Sequence, residues 1–248
     1  MCMKSSFFCK CCLYICLLQS SLVLLAQNKH VDLGLSVEWG ECNIGANAPW
    51  DNGMYFAWGE TIPFGYIDTS NENNHQYSGS FYKCHYNYYS YKWYSGKDSI
   101  SPAIIFYPLF SKYSIYNDLI NKKYYDGLRI LEDVDDAAKK ILGEKWRMPT
   151  QVEMQELIDN CIWKWTQYNN TLGYYVISKR NGNSIFLPVT GYIINDKNEN
   201  IDCGHYWSKT LSYDDLTAES LLINETSYQI SGRSRILGNV IRPVWDPH

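Results

Sequence analysis

The chain has 248 residues and a mass of 28.9 kDa; 46% of its residues are hydrophobic and only 19% charged. That is enough apolar chain for one globular domain without metal or disulfide staples, and it excludes wholesale disorder. A net charge of −4 and a pI near 5.7 lack the basic surplus of a nucleic-acid binder, while 22 Tyr and 9 Trp suit either a β core or an extracellular recognition surface.

In chain order, Lys4 and Lys10 precede an apolar run, Cys11 to Leu25, that ends at Ala26 before polar Gln27-Asn28-Lys29. This is the layout of a cleaved secretory signal over residues 1–26, and the run is shorter than the roughly 20 residues needed to span a bilayer. The signal takes five of the nine cysteines. Cys42, Cys84, Cys161 and Cys203 remain, and they allow three disulfide pairings or four buried thiols. Val31, Leu33, Leu35 and Val37 alternate as in a strand, and Met54 to Gly59 reads as a second one. Residues 61–129 are rich in Tyr, Ser, Asn and Lys with no period, which predicts a long surface insertion.

Two helices are expected next. Val134, Ala137, Ala138, Ile141 and Leu142 form one stripe over Asp133–Leu142, with Asp133 as N-cap and Gly143 as terminator. Thr150 and Glu153 spell a capping box ahead of Met154, Leu157, Ile158 and Cys161. Pro149 disfavours helical angles at Met148, so that helix starts at Thr150. Short strands follow at 174–178, 184–189, 206–209, 220–223, 227–231 and 240–245, separated by Asn- and Gly-rich turns. Strands, a helix pair and a late meander predict an α+β domain.

The segments VDLGLSVEWGECNIGA (31–46), YFAWGE (55–60), DDAA (135–138), KWRMPT (145–150), NGNSIFLPVTGY (181–192), YWSKT (206–210) and VIRPV (240–244) together resemble the Fibrobacter major paralogous domain family. That family is common in secreted and surface proteins of Bacteroidetes and is similar to the C-type-lectin-like superfamily. The resemblance implies a C-type-lectin-like α+β fold over 27–248, two helices packed on short, mostly antiparallel strands. Trp146, Arg147, Pro149, Thr150, Glu153, Trp207 and Arg242 are its structural motif positions. Arg147 and Arg242 lie nearest the expected core elements; one of them pairs with a buried acid, or both face solvent.

For chemistry, the sequence has no HExxH, G-x-S-x-G or P-loop motif. Cys84-His85 and Cys203-x-His205 match no standard zinc spacing. Calcium is the cation that the resemblance brings into question. Glu132, Asp133, Asp135 and Asp136 cluster at a helix start, where they complement the helix dipole, and Asp214 and Asp215 lie in a late loop. No cofactor is expected. The resemblance places a ligand face on the late loops, which carry Tyr213, Asp214, Asp215, Arg233 and Arg235, with Tyr206 beside them. The expectation is an exported, non-enzymatic binding module, secreted, periplasmic or at the cell surface, that recognises an extracellular glycan or protein and neither binds nucleic acid nor spans a membrane after signal cleavage. A structural component of the cell envelope and a diverged formylglycine-generating-like enzyme are the alternatives.

Overall fold

Beyond Asn160, runs of β-branched and aromatic residues, separated by Asn- and Gly-rich turns, build most of the architecture. The computed structural model describes residues 29–65, 67–68, 81–82, 86–99, 106–116 and 123–247. The expected signal segment, Cys84 and His85 lie outside them. Six strands precede the helices: β1 (His30–Val31), β2 (Glu38–Gly40), β3 (Ile67–Asp68), β4 (Phe81–Tyr82), β5 (Tyr94–Ser99) and β6 (Phe106–Phe110). Helices α1 (Ala137–Leu142) and α2 (Gln151–Asn160) flank β7 (Trp146–Arg147). Then come β8 (Cys161–Tyr168), β9 (Thr171–Ser178), β10 (Ser184–Pro188), β11 (Tyr192–Ile194) and β12 (Lys197–Glu199). The last strands are β13 (Gly204–Leu211), β14 (Thr217–Asn224), β15 (Ser227–Ser234) and β16 (Val244–Trp245).

These strands form small antiparallel sheets. β1-β2-β16-β7 ties the start of the described chain to its end, with Val244 opposite both Trp39 and Arg147. β10-β9-β8 and β13-β14-β15 are three-stranded meanders, and β3-β4, β5-β6 and β11-β12 are pairs. Of the described residues 41% are strand and 12% helical. The expected α+β, C-type-lectin-like fold is therefore corrected: the described residues are mostly β, in several small sheets with two short α-helices. The physical reason lies in where apolar area sits. α2 buries only Met154 and Leu157 fully, whereas the strands supply most of the remaining core.

The first expected helix is also corrected. Asp133–Asp135 is a 3-10 turn, Val134 is 73% exposed, and α1 starts only at Ala137. Asp136, not Asp133, is its N-cap, accepting from the Ala138 and Lys139 amides at 3.0 and 3.2 Å. Gly143 ends it at φ 101, as expected of that residue type. The strand expected over 31–37 stops at Val31, because Gly34 takes φ 68 and donates its N–H to Asp32 Oδ1 at 2.6 Å. Leu33 and Val37 are buried all the same.

Two clusters make up the core, one on each side of β13. Tyr206 faces Met154, Leu157, Tyr174, Val176, Leu187 and Leu221. Trp207, its neighbour, faces Phe56, Trp58, Tyr113 and Met148, as the period of two in a strand requires. Tyr86, Tyr91, Trp93, Phe110 and Tyr113 belong to the second cluster. Part of the aperiodic 61–129 stretch is thus interior. Of these, Tyr86, Tyr91, Trp93 and Tyr113 reach the core from outside the named strands, Tyr91 directly after the Asn87-capped 3-10 turn Tyr88–Ser90, and so leave no period in the sequence.

Candidate functional site

The WRMPT segment folds around two local devices. Thr150 Oγ1 accepts the Glu153 amide at 3.2 Å, and Glu153 accepts the Thr150 amide at 2.7 Å, completing the capping box. Arg147 then donates to both Glu153 carboxylate oxygens, at 2.8 and 2.6 Å. Paired with this arginine, the Glu153 carboxyl sits below its ordinary range despite burial. Thr150→Ala is expected to destabilise the protein by about 1 kcal/mol in urea unfolding; an unchanged midpoint would show that packing alone fixes the start of α2. Arg242, by contrast, is fully buried and meets no acid among the described residues. It donates to Asn43 Oδ1 at 2.8 Å and to the carbonyls of Gly40, Glu41 and Phe186 at 2.7–3.1 Å.

The acidic run is structural. Asp135 is buried and accepts from Lys92 Nζ (2.7 Å), Lys112 Nζ (2.6 Å) and the Tyr113 hydroxyl (2.7 Å). Asp136 holds the α1 amides and the Met148 amide, and its burial raises its pKa. Asp133 pairs with Lys139 at 2.6 Å, and Glu132 with Lys112 at 2.5 Å. Among the described residues no cluster of three or more His, Cys, Asp or Glu side chains is arranged to hold a metal ion. Cys42, Cys161 and Cys203 are free thiols. Burial pushes Cys161 up to about 11, which makes it a weak nucleophile at neutral pH.

The six residues expected on a ligand face are dispersed. Tyr213 is 77% exposed. Asp214 closes its own loop, accepting from the Leu216 amide and from both the amide and hydroxyl of Thr217 at 2.7–2.8 Å. Asp215 is buried and anchors Ser114 Oγ and the Ile115 amide, each at 2.7 Å. Arg235 is fully buried, and Tyr206 is buried with its hydroxyl on the Pro188 carbonyl. Trp207 is likewise interior, its Nε1 donating to the Phe56 carbonyl at 2.8 Å. Arg233 lies over the Tyr192 ring at 4.4 Å, beside buried His205, on the face of the β13–β15 sheet that carries Trp207.

A cleft of about 560 Å³ opens on the opposite face, between α2 and β15. Gln151, Gln155 and Ile158 recur at i, i+4 and i+7 on one side of the helix. Tyr228, Ile230 and Gly232 recur at every second position of β15. Ser212, Tyr213 and Glu219 close one end, where Ser212 Oγ donates to Glu219 at 2.7 Å. The Tyr228 ring stacks on Trp163 at 4.5 Å and an interplanar angle of 10°, which fixes its orientation. Tyr213 is thus the one expected ligand residue that lines this cleft. The helix residues escape a search for functional motifs because they look like an ordinary polar helix face. Their spacing is the signal, and it acquires meaning only once β15 is placed opposite. No helix among the described residues is long and apolar enough to cross a membrane. In comparisons with family models, characterised proteins and solved structures, the chain matches none.

Proposed function

We propose that the protein is an exported, non-enzymatic binding module whose ligand occupies the cleft between α2 and β15. The observation that carries this reading is the cleft's lining. The amides of Gln151 and Gln155, the Ser212 hydroxyl and the Glu219 carboxylate surround two accessible tyrosine rings in a space of about 560 Å³. Orienting polar groups around an aromatic contact surface, in a volume of this size, are what an extracellular ligand needs. The signal-like first 26 residues support export. The ordered motifs that resemble the Fibrobacter major paralogous domain agree with a secreted setting.

The test is a titration of the purified protein with soluble oligosaccharide and peptide mixtures, followed by NMR. Shifts are expected at Gln155, Tyr213, Tyr228 and Gln229. Tyr213→Ala is expected to weaken binding about tenfold without moving the unfolding midpoint, because that ring is mostly solvent-exposed. Saturable binding that leaves these residues unshifted, or that survives the substitution intact, would place the ligand elsewhere.

A further inference from the structure

The cleft runs along a strand whose outer side is open. β15 is the last strand of its sheet, and its ladder with β14 is continuous from Ser227 to Ser234 with no bulge. Its sequence, SYQISGRS, contains neither proline nor lysine, the usual devices that block edge pairing. The direction of its backbone groups follows from one bond. Arg235 donates its N–H to the Leu216 carbonyl at 3.0 Å, so the odd-numbered residues turn their amides and carbonyls toward β14. Tyr228, Ile230 and Gly232 therefore turn theirs outward, and among the described residues no backbone group pairs with them. Tyr228 and Gly232 are exposed. The same three residues line the cleft, with α2 as its far wall. A free edge flanked by a helix is the geometry in which an extended chain adds as a further strand.

Building on the cleft as the binding site, we propose that its occupant is an extended peptide segment that pairs with β15 through Tyr228, Ile230 and Gly232. The side chains also set its chemistry. Glu219 stands opposite Gly232 in the β14–β15 register; Gly232 itself carries no side chain, and the small Ser212 and Thr217 hydroxyls lie over it on the way from the edge to that carboxylate. Glu219 accepts a hydrogen bond from Ser212 and makes no ion pair among the described residues. A lysine or arginine of the peptide beside Gly232 therefore meets a negative partner. Two residues along, the next inward side chain meets Ile230 and Ile158 and is apolar. The recognised pattern is a basic and an apolar residue separated by one position. Backbone bonds give affinity and these two contacts give choice.

The probe is a capped heptapeptide of sequence threonine-valine-threonine-lysine-threonine-valine-threonine, which presents the pattern in either strand direction. Its control has glutamate in place of lysine. Hydrogen exchange is followed residue by residue in the protein, free and with each peptide at millimolar concentration. The lysine peptide is expected to slow exchange at the amides of Tyr228, Ile230 and Gly232. The amides of Gln229, Ser231 and Arg233, already bonded to β14, stay unchanged. The glutamate peptide, and the lysine peptide with Glu219→Gln protein, bind about three- to fivefold more weakly, the size of a partly exposed charge pair.

Absence of protection at the three outward amides overturns strand addition. If an oligosaccharide mixture shifts Gln155 and Tyr213 while the peptide does not bind, the cleft remains the binding site and only the peptide proposal falls. If neither probe touches the cleft, both readings fall. Protection that appears without peptide and grows with protein concentration would make a second copy of the chain the occupant and overturn the proposal.

Discussion

Arg235→Ala is expected to lower stability by about 3–5 kcal/mol, a large share of what holds a domain folded, because it leaves buried acceptors unpaired and empties a packed aromatic box. The guanidinium is fully buried, and its partners are the Tyr91 hydroxyl at 2.8 Å and the carbonyls of Lys112, Tyr113 and Asp215 at 2.9–3.1 Å. No carboxylate pairs with it among the described residues. The faces of Phe110, Trp58, Tyr91, Trp93 and Tyr113, 4.6–5.9 Å away, surround the charge instead. Tyr113 is held at φ 57 while it accepts from Arg235, a conformation that costs on the order of 1–3 kcal/mol outside such a network. Removing the arginine leaves orphaned acceptors and an empty aromatic box, and it loosens residues 86–99 and 106–116 from the last strands. Urea unfolding measures the loss, and near-ultraviolet dichroism reports Trp58 and Trp93. Arg235→Lys should recover little, since a point charge cannot reach donors' positions on three sides. A loss below about 1 kcal/mol in the alanine variant would mean that the box repacks.

His205 should make the protein lose stability on acidification from near neutral pH. Its ring is buried edge-on to Tyr192 at 5.6 Å, and its Nδ1 has no hydrogen-bond partner. Burial, then the charge of Arg233, pulls its pKa from 6.5 down to about 3. Between those values the unfolded chain binds a proton that the folded one refuses. Stability is therefore full above pH 6.5 and falls as pH drops toward 3. The expected loss is about 2 kcal/mol between pH 7 and pH 5, on the scale of 1.36 kcal/mol per pH unit. Asp135 and Glu153, whose pKa values are lowered, act only below the ordinary carboxylate range of 3.8–4.5, so the upper window belongs to His205. Asp136, raised by burial, acts above 3.8 with the opposite sign and offsets part of the His205 loss at the acid end. Denaturant titrations at pH 7, 6 and 5 should show a steep slope in the protein and a nearly flat one in His205→Leu. Equal slopes in the two proteins would assign the acid sensitivity to another group.

The features legible in the sequence are those whose partners lie close in the chain. The capping box joins Thr150 to Glu153, three residues on, and the structure contains it. Gly143 ends a helix, and each late run of strand formers overlaps a strand, although 240–245 keeps only Val244–Trp245 and β8, β11 and β12 fall outside those runs. The acids at 132–136 misled, because the run looks like one helix start. Asp136 instead takes the Met148 amide from twelve residues away, and Asp135 takes two lysines from the aperiodic stretch. The α+β expectation failed for a related reason. Short ordered motifs constrain turns, whereas sheet partners are chosen at long range.

The sequence by itself therefore determined the local elements: where α2 begins, which residues of β13 and β15 share a face, and which glycines turn the chain. These depend on interactions within a few residues and on side-chain period. Tertiary structure alone decided the rest. It buried Arg235 beside Tyr91, 144 residues away, and Asp215 beside Ser114, 101 residues away. It also set α2 alongside the free edge of β15. Composition cannot choose among these distant pairings, because each becomes favourable only when the whole core has closed around it.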